Sequence, residues 1–302
     1  GKGRYMTDRA TKLLECRYPV IQGAMGVISN PELVAAVSEA GGFGVLATAF
    51  QEDPAAVREQ VRAAKNLTDK PFGANLMLMN AMNPQFADVL AEEGVRIVTL
   101  SGGSPKAILP YLHDRGIKAL CVVPTVEIAK KAEDLGIDGI IAEGMESGGI
   151  QGYKSASTFV LVPAVADAVK VPVIAAGGIA DRRGYRAALA LGADGVQVGT
   201  RFIATRECVA HIRYKEAVIG CAETGTGLVN LGRFLVRALN TPMVKKINCG
   251  EFGVNDAFCR AAFEESWIRG NLDAGLLPVG QSAGLVRDVP SVREVIQEMV
   301  AE

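Results

Sequence analysis

The sequence predicts an α/β protein, a closed (β/α)8 TIM barrel with a C-terminal, mainly helical extension, and three observations predict it. Eight short apolar runs alternate with longer segments in which apolar residues recur every three or four positions. Several of the runs, among them Val98-Thr99-Leu100 and Ile140-Ile141-Ala142, are apolar without alternation, as strands of a parallel sheet are when both faces are covered. Five times a glycine stands after a helical pattern and before a strand pattern. A chain of 302 residues holds one barrel of about 250 residues and leaves room for an appendage.

Taken in order, the strands are expected at residues 18–22, 43–47, 72–76, 96–100, 118–122, 139–142, 171–175 and 195–198. Helices are expected at 31–40, 54–64, 85–93, 105–115, 126–135, 159–169 and 183–191. Gly41-Gly42, Gly94, Gly116, Gly136 and Gly192 sit where a helix end needs a left-handed residue. An open doubly wound sheet usually carries GxGxxG after its first strand, and Gln22-Gly23-Ala24-Met25-Gly26 is not that pattern. Beyond the eighth strand the alternation is lost. Residues 1–220 are therefore read as the barrel and 221–302 as an extension packed against it.

Nearly half the residues are apolar and the formal net charge is −1, so neither nucleic acid nor an anionic membrane is an expected partner. A small molecule is. No stretch approaches the roughly 20 apolar residues of a membrane span, and no signal-like apolar run follows the basic start. The six cysteines are scattered without CxxC spacing, which suggests a reducing, cytoplasmic setting and no metal site. Residues 1–5 read as a tag remnant before Met6.

Chemistry is expected at the carboxyl ends of the strands, where the loops after strands seven and eight of such barrels often cradle a phosphate. The seventh ends in Ala175-Ala176-Gly177-Gly178-Ile179 and the eighth in Gln197-Val198-Gly199-Thr200. Glycine lets backbone N–H groups approach an oxyanion, and two such loops in adjacent units can hold one phosphate. A lone Gly-Gly would be read as a tight turn. The loop after strand six, residues 143–155, is long and glycine-dense, which points to function. Within it Glu146 is read as a solvated turn residue. Asn75, at the end of an apolar strand, is a candidate to read the edge of a planar heterocycle.

These residues resemble the family that joins flavin-dependent enoyl-ACP reductases with nitronate monooxygenases. The likeness spans nearly the whole chain and includes YPVIQGAMG, GGFGVLA, FGANLML, AEGMESGG, PVIAAGGIAD, GADGVQVGTRF and, near the end, GQSAGLV. It implies FMN, with its phosphate at Gly177, Gly178, Gly199 and Thr200 and its ring near Gly23, Ala24, Met25, Asn75 and Glu143. Gly148, Gly149, Ala176 and Gln197 complete the implied cofactor set, with Gln281 and Ser282 arriving from the extension. It also implies NADH or NADPH as electron donor in the reductase branch and dioxygen chemistry on a nitronate in the other.

One departure weighs against one of the branches. Where the family typically carries His after the glycine pair of the sixth loop, this chain has Gly148-Gly149-Ile150. Isoleucine moves no proton, so the branch that needs a base on the substrate is disfavoured. Tyr153 and Lys154 are the nearby candidates for proton transfer. His113 is expected at a helix end or surface, and His211 in a structural role. The function expected is therefore an NAD(P)H-dependent FMN reductase of an activated alkene, an enoyl thioester carried on ACP or CoA, with a nitronate monooxygenase as the alternative. An IMP dehydrogenase-like enzyme is set aside, because no cysteine lies between Cys121 and Cys208. The apolar residues Phe258, Phe263 and Trp267 are expected to pack on the barrel or on a second subunit of a homodimer.

Overall fold

The computed structural model describes residues 8–302; the N-terminal segment read as a tag remnant lies outside them. The barrel strands are β1 (Val20–Gln22), β2 (Val45–Ala47), β3 (Gly73–Met77), β4 (Ile97–Ser101), β5 (Lys118–Val123), β6 (Gly139–Glu143), β8 (Val173–Ala176) and β9 (Gly195–Val198). All pair in parallel, in the order β1-β9-β8-β6-β5-β4-β3-β2. The strand between the sixth and seventh of these, β7 (Gly149–Gln151), belongs to a second sheet. Of the six glycines expected at helix ends, all but Gly42 take positive φ, from +70° at Gly116 to +100° at Gly192.

Closure between β1 and β2 is thin, since the backbone there forms only an isolated bridge, Ile21 to Phe43. The side chain of Gln22 completes it. Wholly buried, it accepts from the Val45 amide at 3.2 Å and shares its own hydrogens among the Ser29 hydroxyl (2.9 Å), the Val45 carbonyl (3.3 Å) and the Gly23 carbonyl (2.6 Å). A carboxamide can mimic a backbone pair in this way because it carries both a donor and an acceptor.

Inside the barrel Ile21, Val45, Leu120, Ile141 and Ile174 fill the lumen with Ala10 and Leu14 of the helix Arg9–Leu14. That helix covers one end of the barrel, and Leu13 lies 3.2 Å from the position a Gly139 Cβ would take at the start of β6. The lumen is thus a packed core.

The extension is mostly helical but also holds a hairpin that the alternation pattern did not reveal, β10 (Thr226–Asn230) and β11 (Leu235–Leu239). It pairs antiparallel with β7, so the long loop after β6 is built into a three-stranded sheet with the extension. A third strand is what gives a two-stranded hairpin lasting stability. Phe263 stacks on Trp267 at 4.1 Å, with Phe50 from the loop after β2 and Phe258 edge-on to Phe263. These aromatics therefore pack on the protein's own barrel. No helix among the described residues is long and apolar enough to cross a membrane.

Gln22→Leu keeps the volume but strands the Val45 amide in the core. A loss of about 2–4 kcal/mol is expected, read as a melting temperature lowered by roughly 5–10 °C. An unchanged melting curve would remove Gln22 from the closure.

Candidate active site

The carboxyl ends of the strands surround one cavity, and fourteen of the fifteen residues expected to hold a cofactor line it: Gly23, Ala24, Met25, Asn75, Glu143, Gly148, Gly149, Ala176, Gly177, Gly178, Gln197, Gly199, Thr200 and Ser282. Gln281 does not line it. Its backbone amide instead donates to the Glu146 carbonyl at 2.8 Å, pinning the extension to the loop after β6.

The cradle after β8 and β9 is made by backbone. Gly177 and Gly178 both have positive φ, +98° and +77°. The amides of Gly177, Gly178, Gly199 and Thr200 find no acceptor among the described residues. Buried or half-buried amides left in that condition ask for an acceptor from outside the chain. Around them the backbone is crowded: a Cβ on Gly177 would lie 2.9 Å from the Gly144 carbonyl, and one on Gly148 only 2.6 Å from the Gly280 amide.

A small set of side chains holds the crowded segments together. Glu146, expected as a solvated turn residue, is a latch. Its carboxylate accepts from the Thr158 amide at 2.8 Å and from the Thr158 hydroxyl at 2.8 Å, and that hydroxyl also lies 2.9 Å from the Gly177 carbonyl. The hydroxyl has one proton, so it serves these two acceptors in turn. Thr200 accepts from the Gly280 amide at 2.9 Å, which seats the GQSAGLV segment against β9.

The carboxamides divide their work differently from the sequence expectation. Asn75 donates to Thr99 (2.9 Å to the hydroxyl) and accepts from Ser101 (3.2 Å), so it is held by its neighbours at the cavity wall. Gln197 lines the cavity with no partner among the described residues, leaving both ends of its carboxamide for a ligand.

Tyr153 and Lys154 are not brought to the cavity. The Tyr153 hydroxyl lies 2.7 Å from Asn230 Oδ1 and 2.8 Å from the Gly232 carbonyl at the hairpin tip, and Lys154 is exposed. His113 ends the helix Leu109–Asp114, with Nε2 2.8 Å from Asp138. His211 caps the helix Ile212–Ile219, its ring accepting from the Arg213 amide. Neither histidine lines the cavity.

Three features of the cavity had little sequence signal. Phe50, Phe258, Phe263 and Trp267 give it an aromatic wall, assembled from segments some 200 residues apart in sequence. Ile150 lines it from β7 while packing beside Val236 of the small sheet. Glu143, at the end of β6, is its one carboxyl group among the described residues. Enclosure pushes that carboxyl up to about 7, against the opposing pull of a hydrogen bond from Ser147.

Fold and cavity define the class: a parallel β/α barrel with a ligand cavity at the carboxyl ends of its strands, the arrangement of barrel enzymes. Comparison with known proteins sharpens this. The chain belongs to the nitronate monooxygenase family, whose model matches residues 7–302, and it is accordingly an oxidoreductase of a family of flavin enzymes. It is 34% identical to the nitronate monooxygenase of Pseudomonas aeruginosa, over 98% of this chain and 99% of that one. It is 31% identical to a Rhodococcus jostii dehydrogenase acting on a hydroxy-methyl-oxo-octahydroindene carboxyl-CoA, over 97% and 94% of the two chains. The solved structure of FabK from Thermotoga maritima superposes with a TM-score of 0.90 at 39% identity, covering 97% of this chain and 94% of that one.

The raised Glu143 carboxyl has a stability consequence. Its folded pKa lies above the ordinary 4.5, so the folded state favours the protonated form, and that preference is lost as pH rises from about 4.5 through about 7. Glu143→Gln removes the ionisation. In apoprotein melts, the melting temperature of the variant relative to wild type should climb between pH 5 and pH 8 and then level off. A pH-independent difference would place this carboxyl back in the ordinary range.

Proposed function

We propose that the protein is an FMN-dependent NAD(P)H oxidoreductase that reduces an activated alkene, an enoyl thioester carried on ACP or CoA. The observation that carries the reading is the cradle: four amides without acceptors, at the carboxyl ends of the last two barrel strands, beside an apolar and aromatic cavity. They fit a phosphate monoester, which needs several N–H donors and no bulky side chains among them. Gly177, Gly178, Gly199 and Thr200 would hold the FMN phosphate. Gly23, Ala24 and Met25 would lie along the ring, with the free carboxamide of Gln197 available to its polar edge. When bound, the flavin supplies hydride transfer, and the protein supplies placement and exclusion of competing reactions.

The chain's own residues favour the reductase branch. Nitronate oxidation is helped by a base that handles a proton on the substrate, and Ile150 offers none at the position the family gives to histidine. Ile150 and the aromatic wall keep water from the reacting carbons and give an acyl substituent an apolar surface. The R. jostii relative acts on a carboxyl-CoA, which supports a thioester substrate. The P. aeruginosa relative supports the second reading, oxidation of a nitronate.

Two measurements test the proposal. Anaerobic mixing of the FMN-loaded protein with NADH or NADPH should bleach the flavin within seconds, and an enoyl thioester should restore its colour; no bleaching with either nucleotide rules the donor out. Gly177→Ala puts a methyl group against the Gly144 carbonyl at a residue with left-handed φ. It should weaken FMN binding by at least tenfold, about 1.4 kcal/mol, in a flavin fluorescence titration. Unchanged affinity would move the phosphate elsewhere.

A further inference from the structure

Beside the cofactor cavity lies a second cleft, bounded by the loop after β4, the helix Val126–Asp134 and the loop after β6. The two meet at a waist formed by Met77, Ser101, Val122, Glu143 and Ile150, which line both. Among the described residues Glu143 is the one acidic side chain that lines either space, and it stands at the crossing. The groups that line the cavity with it are uncharged: Asn75 of β3, Thr99 and Ser101 of β4, Val122 of β5, Ser147 of its own loop and Gln197 of β9. The charged side chain of the second cleft, Lys131, is paired with Glu127 at 2.7 Å.

We infer that Glu143 is the general acid of the reaction, delivering a proton to the α-carbon of the enoyl thioester from the waist between the clefts. The inference rests on the reductase reading above. Reduction of the alkene consumes one hydride, which originates in the reduced nicotinamide nucleotide, and one proton. As hydride adds to the β-carbon, the carbon–carbon π bond breaks and its electron pair takes the proton from the Glu143 carboxyl at the α-carbon. The Glu143 O–H bond breaks, leaving a carboxylate beside the Ser147 hydroxyl. The carboxylate is reprotonated by water from the second cleft, so the proton has an entry that does not cross the flavin.

Position singles out Glu143 for this. Proton transfer needs a titratable group in contact with the reacting space, and Tyr153, Lys154, His113 and His211 all lie outside it. Tyr214, the remaining titratable residue of the lining, donates its hydroxyl to the Pro278 carbonyl at 2.9 Å. A carboxyl held protonated near neutral pH is matched to the task, and the enclosure of Glu143 acts in that direction.

The test separates the half-reactions. Wild type and Glu143→Gln are loaded with FMN, reduced chemically with dithionite, freed of excess reductant and mixed anaerobically with an enoyl thioester in D2O. Two results are expected when both proteins are saturated with flavin: oxidation by substrate slowed at least 10²-fold in the variant, and loss of the pH limb near 7 that wild type shows. Glu143→Asp should recover part of the rate. Deuterium at the α-carbon should enter from one face with wild type and from both with Glu143→Gln, a change that a merely supporting residue would not produce. Independently of turnover, difference infrared spectra of the apoprotein at pH 6 should contain a protonated carboxyl band that the variant lacks. Wild-type transfer left unchanged in rate and stereochemistry by Glu143→Gln overturns this inference alone. Failure of chemically reduced wild type to reduce any enoyl thioester overturns the function reading together with it.

Discussion

The carboxyl end of this barrel depends on how its weakest seam is closed. A parallel barrel leaves no free edge only if every neighbouring pair of strands is bonded. Between β1 and β2 the ladder is a single bridge, and the Gln22 carboxamide supplies the missing donor and acceptor. Because Gln22 is followed directly by Gly23, Ala24 and Met25, the group that shuts the barrel also sets the line of backbone along one wall of the cavity. A buried polar side chain with all its bonding satisfied favours one geometry, since any slip leaves an amide unpaired in the core.

The opposite wall is held by a different device. There the loop after β6, the turn after β8 and the GQSAGLV segment of the extension approach so closely that Gly148 and Gly280 touch backbone to backbone. Glu146, Thr158 and Thr200 fasten these segments with short hydrogen bonds, while β7 ties the same loop to the hairpin. The extension is thereby part of the active-site wall. Its Phe263 meets Phe50 edge-on, and Trp267 crowds the turn at Gly26, where only a hydrogen atom fits in place of a side chain.

The barrel was legible in sequence because parallel strands and their helices leave local traces: unbroken apolar runs, three-to-four spacing, and a glycine after most of the helices. Observed strands fall within two residues of those expected, except that the hairpin escaped. Its strands, with Gly227 and Asn230 in one and Arg237 in the other, are poor in the alternation that identifies a strand, and β7, the partner of β11, lies more than 80 residues upstream. The cradle glycines were legible for the same local reason. Roles that depend on contacts across the chain were not. Nothing near Glu146 in sequence announces Thr158 as its partner, nothing near Tyr153 announces Asn230, and Gln22 reads as a polar residue ending a strand until Val45 is placed beside it.

Ile150 stands where the family resemblance implies histidine, and its presence is best understood through its effect on Glu143. An imidazole at that position can carry positive charge, and a positive charge nearby favours the ionised form of a carboxyl. An isoleucine packed against the small sheet removes that possibility and leaves the waist of the cavity less polar. Desolvation then acts on Glu143 with only the Ser147 hydrogen bond opposing it, and the carboxyl is held near neutrality. On the reading proposed above, the site would offer an acid beside the substrate in place of a base at it. For a reaction that ends by placing a proton on carbon, that exchange retains proton transfer; for one that begins by removing a proton from carbon, it does not.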